Sequence, residues 1–219
     1  MATQVAVLHE EPIRIFKAED VMSSAESFEE QEQQYRAAAY SILAALLREV
    51  PEQQTLQQVA QFAQVEIDED EMLLAMSSLG LAVQSFNNEQ INDEYHELFI
   101  GLGRGELVPY GSWYLTGYLM EQPLSILRDD LKQLGFERDE SVTEPEDHIA
   151  ALCEVMSMLI SSSADWNTQT QFFEKHLSPW CEKFFADLEK ANSASFYQSV
   201  GRFGSAFFKM DKHYLQMPV

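Results

Sequence analysis

The feature that most constrains this chain is a run of apolar side chains at helical spacing, closed by a proline. Tyr35, Ala39, Ile42, Leu43, Leu46, Leu47 and Val50 recur at intervals of three and four, and Pro51 follows. That interval makes one face of a helix apolar, and such a face has to bury itself against other elements. Pro51 brings no amide hydrogen and stops the run. Ser27 and Glu30 stand where a capping box would open it. The pattern then repeats. A second helix is expected over about 53–65, with Leu56, Val59, Ala60 and Ala63 on one face, and a Met- and Leu-rich third over about 69–86. A fourth is expected over about 88–100, with Ile91, Tyr95, Leu98 and Phe99 inward and Gly101 as its stop. No stretch alternates apolar and polar residues long enough for a strand pair.

Further along, Ser112 stands as cap of a short helix carrying Trp113, Tyr114 and Tyr118. Pro123 opens another that ends at Gly135, Ser178 and Pro179 start a later one, and a last apolar pattern covers about 194–214. The fold expected is all-α: a single helical domain of about eight to ten helices in two halves. Residues 1–26 read as an N-terminal extension, 27–135 as the N-terminal half, 136–145 as a hinge linker and 146–219 as the C-terminal half. A hinge at that place suits a monomer or a domain-swapped dimer.

Charge narrows the partners. The 219 residues carry a formal net charge of -22 with 46% hydrophobic residues, so an acidic exterior surrounds a real core. Such a field repels nucleic acid and anionic membranes and speeds encounter with basic partners. Residues 49–103 contain no Lys or Arg, while Glu66, Asp68, Glu69, Asp70, Glu71, Glu89, Asp93, Glu94 and Glu97 fall there; residues 139–174 form a second such window. Two readings stand: one face receptive to cations, or two separately solvated surfaces. Cys153 and Cys181 form no CxxC, which suits packed thiols in a reducing compartment. The apolar run at residues 5–8 is too short for a signal peptide, and no window approaches the roughly 18 apolar residues of a membrane span. A cytoplasmic location without stable membrane insertion is expected.

The segment TEPEDHIAALCEVM sets Glu146, Asp147 and His148 side by side. Successive helical side chains diverge by about 100°, so Asp147 is poorly placed to orient His148. A metal pair would need a second ligand three or four positions on, where Ala151 and Leu152 stand. Pro145 fits a first helical position with Glu144 as cap, which places Glu146 and Asp147 where the helix dipole favours acids by ~0.3–1 kcal/mol each. That leaves His148 without a local explanation. GLGRG at residues 101–105 is neither GxGxxG nor a phosphate-binding loop, and GxSxG is absent. Tyr110, Trp113, Tyr114 and Tyr118 suit either core packing or an apolar groove for a partner peptide.

Three segments in this order, YHELFIG at 95–101, PYGSWY at 109–114 and EPEDHIAALCEVM at 144–156, resemble the TorD/DmsD/NarJ family of redox-enzyme maturation chaperones, most closely its DmsD and TorD branch. The resemblance covers roughly residues 35–210. It implies a helical domain without a cofactor of its own. Such a domain binds the twin-arginine leader of a molybdopterin-containing oxidoreductase and assists its maturation before export. It also implies leader-binding roles for Tyr95, Leu98, Pro109, Tyr110, Asp147 and His148, with Ser112 and Trp113 in the same segment. The first 26 residues, and a single proline before Tyr110, depart from the family pattern. Two alternatives remain beside it: a metal-dependent enzyme using His148 and nearby carboxylates, and an acidic decoy of a nucleic-acid-binding protein.

Overall fold

The computed structural model of the protein describes residues 18–65, 69–101, 104–138 and 142–217, with side chains from residue 29 onward. Residues 1–17 of the expected extension, Glu66 and Asp68 of the first acidic window, residues 102–103 of the glycine-rich loop and residues 139–141 of the expected linker lie outside the described residues. Ten α-helices follow one another among those that are described: α1 (Ala18–Arg48), α2 (Gln53–Ala60), α3 (Glu71–Ser85), α4 (Asn88–Tyr95), α5 (Gly111–Thr116), α6 (Gln122–Gln133), α7 (Ile149–Ser161), α8 (Trp166–Phe172), α9 (Cys181–Lys190) and α10 (Phe196–Leu215). The chain is all-α, as its periodicity requires.

α1 starts earlier than its capping pattern suggests. Residues 18–26 hold neither Gly nor Pro, so nothing breaks the helix before Ser27, which lies inside it. At its other end, orphan carbonyls are met by buried phenols. Tyr197 donates to the Leu46 carbonyl at 3.1 Å and Tyr95 to that of Arg48 at 2.8 Å. α4 carries the capping box that sequence pattern alone did not place, between Asn87 and Gln90.

α1 lies along α7, and α10 packs against α9 and α3, so both halves of the chain share one core. Tyr40, Leu43, Leu46 and Leu47 of α1 are buried in it with Phe184 and Phe185 of α9 and Phe196, Phe203 and Phe207 of α10. The α9–α10 contact is close because Gly204 faces the ring of Phe185; a Cβ there would stand 2.2 Å from Cδ1. The N-terminus of α10 is held by a distant acid. Glu94 accepts from the amides of Ser195 (2.8 Å), Phe196 (2.9 Å) and Tyr197 (2.6 Å), which offsets the dipole of that helix.

One buried ion pair joins three helices. Arg36 of α1 bonds Asp211 of α10 and, at 2.8 Å, Gln169 of α8, while Tyr40 donates to Asp211 at 2.6 Å. Arg36 is 3% exposed and Asp211 0%. Removing one partner from such a pair strands a charge, at about 3–5 kcal/mol. Arg36→Met is therefore expected to lower unfolding free energy in urea by about 3–5 kcal/mol, and pairing it with Asp211→Asn to restore part of that loss.

Candidate functional site

Two segments far apart in sequence are stitched together by main-chain bonds. The Gly111 amide donates to the Asp147 carbonyl and the Ile149 amide to the Pro109 carbonyl, both at 2.9 Å. This makes an isolated antiparallel bridge between Tyr110 and His148. It brings Pro109, Tyr110, Ser112, Asp147 and His148 to one corner.

The bridge also corrects the expected helix start. α7 does not open at Pro145 with Glu144 as cap. Glu146 and Asp147 form a turn, His148 alone is extended, bridged to Tyr110, and the helix begins only at Ile149. His148 is its cap: Nδ1 accepts from the Ala150 amide at 3.1 Å. The histidine that local pattern left unexplained thus satisfies an orphan helix amide. Its ring meets Tyr110 edge-on, with centroids 5.0 Å apart. Burial, with Arg48 nearby, pushes its pKa down to about 4.

Asp147 makes a different bond. Its Oδ2 accepts from the Ser112 amide at 2.7 Å, in the first turn of α5. Among the described residues, Oδ1 has no hydrogen-bond partner, although the residue is only 3% exposed; Ser112 Oγ is likewise unpartnered. The two neighbours thus bond to different partners, and they do so outside the helix, so the helical divergence of adjacent side chains is not the reason.

Asp147 borders a cavity of about 190 Å³ between α5, α6, α7 and the segment before α9. Its apolar wall includes Leu115, Pro123, Ile126, Leu127, Leu152 and Trp180. Trp180 is fixed by donating Nε1–H to the His176 carbonyl at 2.8 Å. A Cβ at Gly111 would stand 3.1 Å from that same nitrogen, so glycine lets the indole close against the α5 turn. Leu115 and Ile126 of that wall are also open to solvent, and Tyr118, Leu119 and Met120 after α5 are exposed. Tyr118 and Met120 are 70% and 71% exposed, and Met120 takes a left-handed φ of 58°. An exposed apolar cluster of this kind marks a contact surface more often than isolated exposed residues do.

Leu98, Tyr95 and Trp113 are not among the residues that line this cavity. Leu98 is fully buried in the core. Tyr95 is 6% exposed, packs on Phe99 and Tyr197, and keeps its proton because burial, then Glu144 and Glu49, push its pKa to about 12. Trp113 borders a second cavity of about 280 Å³, with the Arg104 guanidinium 4.9 Å from its ring centroid. Sequence reasoning missed Trp180, Ile126 and Leu115 as cleft residues. Their only signal was composition, because the helices that bring them together lie up to 65 positions apart in the numbering of Leu115 and Trp180. The two cysteines are free and buried, and burial pushes both thiols up. No group of three His, Cys, Asp or Glu side chains suited to a metal ion is found among the described residues, and no described helix is long and apolar enough to cross a membrane.

These features describe an all-helical domain with an apolar cleft floored by a carboxylate. Residues 66–186, more than half of the chain, match the family described as nitrate reductase delta subunit, and the chain belongs to that family. Its relatives include the chaperone protein TorD of Vibrio parahaemolyticus, 26% identical over 147 residues, which are 61% of this chain and 68% of that one. A Haemophilus influenzae protein named for the Tat proofreading chaperone DmsD is 30% identical over 114 residues, which span 51% of this chain and only 55% of the relative's length. A crystal structure of an Archaeoglobus fulgidus protein assigned to redox enzyme maturation shares the fold, with a TM-score of 0.54, 18% identity, and coverage of 80% of this chain and 93% of that one.

The cap on α7 makes stability depend on pH. A histidine in the unfolded chain titrates near 6.5, and His148 in the folded protein near 4. The folded state thus binds fewer protons, so the contribution is complete above pH ~6.5 and is lost as pH falls towards 4, by roughly 3 kcal/mol in all. Asn is a cap that does not titrate. Urea midpoints measured from pH 7.5 to 4 are expected to fall less steeply for His148→Asn than for the native chain.

Proposed function

We propose that this protein is a cytoplasmic chaperone of molybdoenzyme maturation that binds the twin-arginine leader of its client precursor and catalyses no reaction itself. Family membership and relatives named as TorD and Tat proofreading chaperones support the reading. The observation that carries it is the Oδ1 of Asp147, buried at the apolar cleft without a partner among the described residues. A carboxylate so placed is poorly solvated, and a guanidinium that reaches it restores the missing bonds. The neighbouring wall of Leu115, Ile126 and Trp180 suits the apolar residues that follow the arginines.

The magnitudes are adequate. Hydrogen bonds to a charged group contribute about 1.5–3 kcal/mol each, and a leucine-sized side chain leaving water about 1.5–3 kcal/mol. A few of each reach about -8 kcal/mol, or micromolar binding, after the entropy of association. The formal charge of -22 speeds the encounter with a basic leader without defining where it docks.

Asp147→Asn separates charge from architecture, because an amide oxygen still accepts from Ser112. Calorimetric titration with a twin-arginine leader peptide is expected to show affinity reduced about tenfold or more, for loss of about 1.4 kcal/mol or more. A peptide with both arginines changed to lysine is expected to lose most of its disadvantage on this variant. Unchanged affinity for the arginine peptide contradicts the reading.

A further inference from the structure

The cleft at Asp147 has a neighbour. A third cavity, of about 140 Å³, is lined by Asp130, Gln133 and Leu134 on one side and Thr168, Gln171 and Phe172 on the other. Lys175 and His176 border both cavities. The two spaces therefore lie along one side of α6, divided by this pair of side chains.

The divider is electrostatic. Lys175 Nζ stands 2.5 Å from Asp130 Oδ2, and His176 Nε2 lies 2.7 Å from the same oxygen. His176 is only 8% exposed and held among packed groups, its ring against Phe172. Lys175 has a side chain 52% exposed. Burial alone would raise the Asp130 pKa, yet the bonds from Lys175 and then His176 hold it below the ordinary range. His176 itself is lowered by burial against the opposing pull of Asp130, which favours its neutral form. The carboxylate thus keeps one buried partner, His176, and one half-exposed cation, Lys175. Glu146 differs: it is bound by Arg128 at 2.8 Å, with Arg138 at 3.6 Å, so guanidinium groups of the chain already serve it.

We propose that Asp130 is a second guanidinium-binding carboxylate, occupied in the free protein by Lys175 as an internal stand-in that an arginine of the leader displaces. This rests on the leader-binding reading above and extends it to the pair of arginines. Asp147 Oδ1 receives one guanidinium, and Asp130 receives the other beyond the Lys175 divider. Displacement is easy because a half-exposed ammonium forms a weak, screened pair, whereas the planar fork of arginine makes two directed bonds to a carboxylate. The ammonium moves into water on its flexible stem, and His176 stays. Lys175 thereby sets a threshold. A segment with one arginine gains nothing from displacing it, and a segment with two gains a second charged contact.

Calorimetry with three synthetic peptides tests this: one with two adjacent arginines before an apolar stretch, and two with either arginine changed to glutamine. Lys175→Met keeps the apolar stem and removes the stand-in. It is expected to raise affinity for the two-arginine peptide about fivefold and to leave at least one single-arginine peptide unchanged. Asp130→Asn is expected to weaken the two-arginine peptide about tenfold and to bring it level with that same single-arginine peptide. Equal effects of Lys175→Met on all three peptides, or no effect of either variant on the two-arginine peptide, overturn the assignment. If Asp147→Asn still weakens binding in that case, leader binding stands and only the second carboxylate falls. A native protein that binds none of the peptides overturns both.

Discussion

The site depends on two main-chain hydrogen bonds, Gly111 to Asp147 and Ile149 to Pro109. They hold residues 109–111, at the start of α5, against residues 147–149, at the start of α7. Each side chain at the junction then has a defined task. Asp147 bonds the first turn of α5, His148 caps α7, and Tyr110 packs on the His148 ring. Loss of the junction would free both helix starts together. It would also release Asp147 from the border of the cleft, where its Oδ2 is anchored on the Ser112 amide. The carboxylate proposed to bind the leader and the start of α7 thus rest on the same few atoms.

This arrangement changes how the acidity of the chain is understood. Several acids in the cation-free windows have internal work. Glu94 caps α10 and Asp147 bonds α5. Outside those windows Glu106 accepts from the amides of Asn192 and Ser193, and Asp211 holds Arg36. The net charge supplies a long-range field that salt screens within about 10 Å at 0.1 M. Selection among basic segments requires carboxylates in fixed places beside apolar walls, which the field alone lacks.

Much of the fold was legible because helical periodicity reports burial directly. The end of α1 at Arg48, shortly before Pro51, the stop of the fourth helical segment at Gly101 and the start of α6 near Pro123 follow from local chemistry. The errors have local causes too. α8 is short, with its cap at Asp165 bonding Thr168, and a polar seven-residue helix leaves little periodic signal. The turn at residues 178–180 delays α9 to Cys181, although Ser178 and Pro179 look like a helix start. The true start of α7 was hidden because residues 109–111, which bond Asp147 and Ile149 and hold His148 extended between them, lie far away in sequence. The same reason concealed Trp180 beneath Gly111. Asp147 and His148 were legible as a pair worth attention, through the family resemblance and not through helix geometry. Leu98 and Trp113, taken from the same resemblance, lie in the core and at a different cavity.

The most direct test of leader recognition at Asp147 is an experimental structure of the protein bound to a twin-arginine leader peptide. The account requires an arginine guanidinium within hydrogen-bonding distance of Asp147 Oδ1 and an apolar side chain of the peptide against Ile126 and Trp180. A peptide seated elsewhere, such as at the Trp113 cavity, with Asp147 Oδ1 untouched, would contradict it.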